Sequence, residues 1–170
     1  MPKAVIKKHV EERLRNLIRL EKREQKSTHS LSHITPVQFS KLAVLDLSGW
    51  IEITQDEIIK KILSSKNISS SEIKTFEKKY IDSNNAFSMN KFDAMLTPAV
   101  GYSSFLSFKI MLGADYDLLS SKLSSLKKIR DELAHQTRPS PSSLPSPQTV
   151  YDDYFLIIFR ILKTIELYKF

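Results

Sequence analysis

One short segment gathers side chains from which chemistry could be built: Ile129-Arg-Asp-Glu-Leu-Ala-His135 holds an arginine, two carboxylates and an imidazole. Arginine carries a permanent charge on a planar fork of N–H donors, and histidine exchanges a proton near neutral pH. On a helix, Asp131 and His135 stand four residues apart and share a face, so the carboxylate can orient the imidazole and favour its charged form. Arg130 and His135 differ by five residues, ~140° around a helix that turns ~100° per residue, so one helix does not easily aim both at one atom. The same histidine also has a purely structural use, as a positive group in the last helical turn favoured by the helix dipole. A looser match, Arg23 followed by His29, reads as a solvated helix end.

Other chemistries find little material. The chain has no cysteine, which excludes a disulfide framework, thiol catalysis and cysteine-based zinc sites, and fits a reducing compartment. Its four histidines, His9, His29, His33 and His135, are scattered, and no expected helix carries two of them at i, i+4 spacing. Neither a metal site nor a cofactor is expected. The longest apolar run, Phe155-Leu-Ile-Ile-Phe-Arg-Ile-Leu162, is interrupted by Arg160 and is far shorter than the ~20 residues that span a bilayer. With no apolar signal-peptide core at the N-terminus, a cytoplasmic protein without membrane attachment is expected.

The elements that must position this segment are helices. Three glycines in 170 residues leave little for tight hairpins, and no stretch alternates apolar and polar residues. From Pro2 to about Gln25, Ile6, Val10, Leu14 and Leu17 form one apolar stripe of an amphipathic helix. Thr35-Pro36 reads as an N-cap followed by proline at the first helical position. The second helix then runs to about Ser65, and it is apolar on nearly every side between Leu42 and Ile53, as a central element packed all round should be. Asp46 and Glu52 lie inside that stretch, and a carboxylate there needs a cation: Arg130 is assigned to Glu52, with Asp46 a second candidate beside it. Ser69-Ser-Ser-Glu72 resembles a capping box opening a third helix to about Asp82. Between Asn84 and Gly113, Pro98 and two glycines imply shorter helices and bends.

Periodicity returns from Ala114 to Gln136, where Leu119, Leu123, Leu126, Ile129 and Leu133 share a face of the helix that ends in the Arg130–His135 segment. Residues 137–148, with four prolines and four serines, read as an exposed loop. A last helix from about Thr149 closes the core with Phe155, Ile158, Ile161, Leu162 and Ile165. Length and 41% hydrophobic content suit a single domain over residues 1–170: all-α, an up-and-down bundle of four to six helices. The net charge of +7 is uneven, since residues 1–29 hold nine Lys/Arg against four Glu. That region fits a surface for a polyanion and equally a solvated basic helix face.

In this order of elements, Val44-Leu-Asp-Leu-Ser-Gly-Trp-Ile-Glu52 and Ile129-Arg-Asp-Glu-Leu-Ala-His135 resemble the two most recognisable segments of small standalone HEPN domains. The family's motif is an arginine followed, four to six residues on, by a histidine, usually with a polar residue directly after the arginine, here Asp131. The resemblance covers most of the chain and implies a homodimer in which the arginine and histidine of both copies meet in an interface cleft that cleaves RNA without metal. It makes Arg130, His135 and Asp131 the catalytic candidates, Glu52 and Asp46 their supports, and Lys7, Lys8, Arg15 and Arg19 candidate RNA contacts. A ribonuclease of this kind implies a bacterial toxin or anti-phage effector and an antitoxin or regulatory partner. The alternative is a non-catalytic dimeric helical module that binds nucleic acid or a partner, since some HEPN domains are scaffolds. Where a toxin subgroup has a tyrosine two residues after the histidine, this chain has Thr137, so the resemblance does not reach that subgroup.

Overall fold

The computed structural model describes residues 7–26, 36–66, 68–83, 87–135 and 144–170, position 135 by its backbone. These residues form seven helices in an up-and-down arrangement, and among them there is no strand. The helices are α1 (Lys7–Lys26), α2 (Pro36–Ser65), α3 (residues 70–81), α4 (Met89–Val100), α5 (Tyr102–Leu112), α6 (Ala114–His135) and α7 (residues 147–167). The count exceeds the expected four to six because residues 84–113 supply two separate helices. Gly101, at φ 88°, adopts a backbone that other residues resist, and it splits α4 from α5 immediately after Pro98 has removed an N–H from the last turn of α4.

Local sequence explains most boundaries. Pro36 does open α2, while Thr35, its expected cap, lies outside the described residues, as does most of the 137–148 loop. At α3 the capping box is complete: the Ser69 side chain accepts from the Glu72 N–H and the Glu72 carboxylate accepts from the Ser69 N–H. Both α3 and α7 contain a π-helical turn, Glu77–Ile81 and Val150–Phe155. The last helix begins at Pro147, two residues earlier than expected, where Ser146 caps it by accepting from Thr149 N–H.

The core surrounds α2, which packs against α1, α4, α6 and α7. Leu14, Val44, Leu47, Ile51, Ile58, Phe92, Leu119, Leu123, Phe155 and Ile158 are fully buried. On α1 the buried stripe is Val10, Leu14 and Ile18, with Leu17 only half-buried and Ile6 outside the described residues. Regular 4-residue spacing from Leu14 selects Ile18, so the stripe leans one residue from the one expected. The expectation that α2 is covered all round is overturned: Leu42, Leu45 and Ile53 are 43%, 50% and 66% exposed. At the far end of the bundle, Lys61 of α2 donates to Glu166 of α7 at 2.9 Å, and Lys163 joins the same carboxylate. Among the described residues no helix is long and apolar enough to cross a membrane.

Candidate active site at the α2–α6 seam

The leucine stripe of α6 determines where its last turns stand. Leu119, Leu123 and Leu126 are fully buried, whereas Ile129 and Leu133 are half-buried, so the C-terminal part of α6 lies at the rim of the core. Arg130 stands at this rim with its side chain 23% exposed, and there it meets Glu52 of α2. Arg130 Nη1 donates to Glu52 Oε1 at 3.1 Å, the pairing expected for a carboxylate set in an apolar stretch.

Asp131 completes the hold on the guanidinium. Arg130 Nε and Nη2 donate to Asp131 Oδ1 at 3.2 and 2.9 Å, and Lys127 Nζ donates to Asp131 Oδ2 at 2.6 Å. The Lys127 ammonium and then the Arg130 guanidinium hold the Asp131 carboxyl below its ordinary value. Beneath the guanidinium lies the fully buried Phe87, with Arg130 Cζ 4.8 Å from the ring centroid, a cation–π contact. Three of the five N–H donors of Arg130 are thus engaged, and the other two have no partner among the described residues. Two cations and two anions balance at this spot, so the cluster has direction without a large net charge.

His135 is the last residue of α6, five positions after Arg130. Asp131, assigned from its spacing to orient His135, has Lys127 and Arg130 as its partners. Asp46 does not belong here. It pairs with Arg13 of α1, because six positions before Glu52 is ~120° round the helix. Burial raises the Asp46 carboxyl despite Arg13.

Asp56, one turn beyond Glu52 on α2, escaped the sequence reading. Burial, opposed by Lys60 and reinforced by the Glu52, Glu57 and Asp82 carboxylates, pushes its carboxyl up to about 6. The i, i+4 series Glu52, Asp56, Lys60 was visible in the sequence, as was Lys127 with Asp131, but the half-burial of Asp56 was not. Phe87 gave no signal at all, being brought under Arg130 from a distant segment.

The basic face of α1 is partly neutralised. Glu11 receives both Lys7, at 3.2 Å, and Arg15, at 2.9 Å, while Arg15 also donates to the Tyr151 hydroxyl at 2.6 Å. Arg19 donates to Asn16 at 3.3 Å, and Lys8 is exposed. Lys8 and Arg19 therefore have no carboxylate at ion-pair distance among the described residues, whereas Lys7 and Arg15 do. Among the described residues no group of three or more His, Asp or Glu side chains could hold a metal ion. No family model, no curated protein and no solved structure matches this chain.

Proposed function

We propose that the chain is a HEPN-like, metal-independent endoribonuclease whose site is completed by a second copy. The observation that carries this reading is the Arg130 fork, held by Glu52 and Asp131 over Phe87 with two N–H groups that no other described residue engages, five residues before His135. Cleavage follows by transesterification. An imidazole takes the proton of the ribose 2′-hydroxyl, the oxygen attacks phosphorus, and the bond to the 5′-oxygen breaks as that oxygen receives a proton, leaving a 2′,3′-cyclic phosphate. His135 does the proton transfer, and Arg130 stabilises the charge gathering on the phosphoryl oxygens. Because Arg130 and His135 diverge on one helix, a two-fold axis supplies the complementary pair.

Such an enzyme acts on RNA in the cytoplasm and needs restraint, which fits a toxin or anti-phage effector held by an antitoxin or regulatory partner. The second reading is a non-catalytic dimeric interaction or nucleic-acid-binding module. It is favoured by the balance at Arg130, where two carboxylates offset the charge a phosphate would seek. Incubation of the pure protein with RNA in excess EDTA separates them: the enzyme yields 2′,3′-cyclic phosphate ends, and the His135→Ala protein does not. Cleavage that EDTA abolishes, or that survives in well-folded His135→Ala, overturns the proposal.

A further inference from the structure

We infer that the exposed face of α2 is a self-complementary seam on which a second copy of this chain docks its own α2 in antiparallel orientation, crossing at Gly49. Leu42, Leu45, Gly49 and Ile53 follow one another at spacings of three, four and four residues, the rhythm of a helix-packing stripe. Its three large members are the 43%, 50% and 66% exposed residues that the fold leaves uncovered. In the middle, a Cβ built on Gly49 meets nothing within 4 Å, so the helix backbone faces open space there and another helix can come close. Hollows flank the stripe. One of about 330 Å³ is bounded by Gln38, Lys41, Leu42 and Leu45, and another of about 310 Å³ lies along Leu45, Gly49, Trp50 and Ile53 towards α1.

Charge selects both the partner and the direction. On the exposed side, the half of the stripe before Gly49 carries Lys41, and the half after it carries Asp56, Glu57 and Lys60, the last 3.6 Å from Glu57, so the second half is net acidic by one charge. Lys41 has no carboxylate at ion-pair distance among the described residues, and Asp56 is crowded by its acidic neighbours. About a two-fold axis at Gly49, residues equally far before and after it face each other. Leu45 then meets Ile53 of the second copy and Lys41 meets Glu57, apolar on apolar and cation on anion, while Leu42 falls opposite Asp56, with Lys41 of the same copy as Leu42 flanking that carboxyl. A parallel pairing would set Lys41 against Lys41. Asp46 falls opposite Glu52, each with its own arginine, Arg13 and Arg130, so each Arg130 cluster borders the seam and faces the Arg13–Asp46 pair of the second copy.

The other exposed apolar row, Tyr102, Leu106 and Ile110 of α5, lacks this pattern: the one charged side chain within it, Lys109, lies over the Phe105 and Tyr116 rings. For its functional meaning the seam rests on the two-copy nuclease reading, but its test reads mass and no RNA cleavage.

Sedimentation equilibrium of the full chain at micromolar concentration should give a dimer. Leu45→Glu and Ile53→Glu, at exposed positions where the monomer's fold should persist by circular dichroism, should each raise the dimer dissociation constant on the order of tenfold or more. Lys41→Glu and Glu57→Lys should each weaken the dimer, and the double variant should restore it. Ile110→Glu on α5 should leave the mass unchanged. A monomeric wild type, a folded Leu45→Glu protein that dimerises as tightly as wild type, or a dimer dissolved by Ile110→Glu instead would overturn the inference. A dimer that obeys this pattern yet leaves RNA intact upholds the seam and removes the nuclease.

Discussion

Arg130 and Glu52 form a pair that water still reaches, their side chains being 23% and 36% exposed. A pair of this kind contributes ~0–1 kcal/mol, because solvent screens the charges and the side chains lose freedom. Arg130→Ala should therefore lower the melting temperature by only a few degrees, while removing a transition-state donor should cost ~10²-fold or more in RNA cleavage. His135→Ala should cost ~10²–10⁴-fold with the melt unchanged, since the variant loses a proton carrier. Arg23→Ala, in the exposed last turn of α1, should leave turnover nearly as it was. Calorimetry beside a single-turnover cleavage assay checks all three, and an Arg130→Ala protein that unfolds would show the arginine to be chiefly structural. At this scale the sequence was readable where burial forces a choice. Glu52, in an apolar stretch, needed a cation and has one; Asp46 was misassigned because hydropathy reports that a charge is enclosed but not which neighbour encloses it.

Capping chemistry and hydrophobic period made most helices legible, since both act within one or two turns. The Ser69–Glu72 box shows how local that information is: two orphan N–H groups are satisfied by side chains three residues apart. Ser69→Ala should cost ~1 kcal/mol, read as a shift in the urea midpoint at constant slope. An unchanged midpoint would mean that α3 is held by packing alone, although none of Ser70–Phe76 is fully buried. Two features escaped period finding, and for related reasons. Pro98 and two glycines signalled bends between Asn84 and Gly113, but the hydrophobic period does not place the break at Gly101, because Phe105 and Phe108 continue an apolar pattern beyond it. Nor can it distinguish a helix covered on all sides from one whose last apolar face is left bare, and on α2 Leu42, Leu45 and Ile53 are the bare face.

Across the whole molecule, two carboxyls on α2 and α7 make stability respond to pH in opposite senses. Burial pushes the Glu166 carboxyl up, but the Lys163 and Lys61 ammonium groups outweigh it and hold it at about 2, against an ordinary 4.5. A carboxyl lowered by folding contributes stability that is present above its unfolded value and is lost as pH falls from there towards about 2. Asp56 behaves in reverse. Its value rises from 3.8 to about 6, so its favourable contribution is complete below 3.8 and disappears as pH climbs through about 6, leaving an anion crowded by Glu52, Glu57 and Asp82 with Lys60 in partial compensation. Glu166→Gln should then destabilise the protein by ~1–3 kcal/mol at neutral pH, the range for a buried charged partner removed, with the deficit shrinking as acid protonates the wild-type carboxyl. Asp56→Asn should raise the neutral-pH melting temperature by a few degrees and change little near pH 4, where the wild-type side chain is already uncharged in the fold. Thermal melts of the three proteins at both pH values decide the matter. If Asp56→Asn lowered the melt at neutral pH, the carboxylate would have to be engaged by a cation stronger than Lys60, and the crowding of charge beside the Arg130 cluster would be misread.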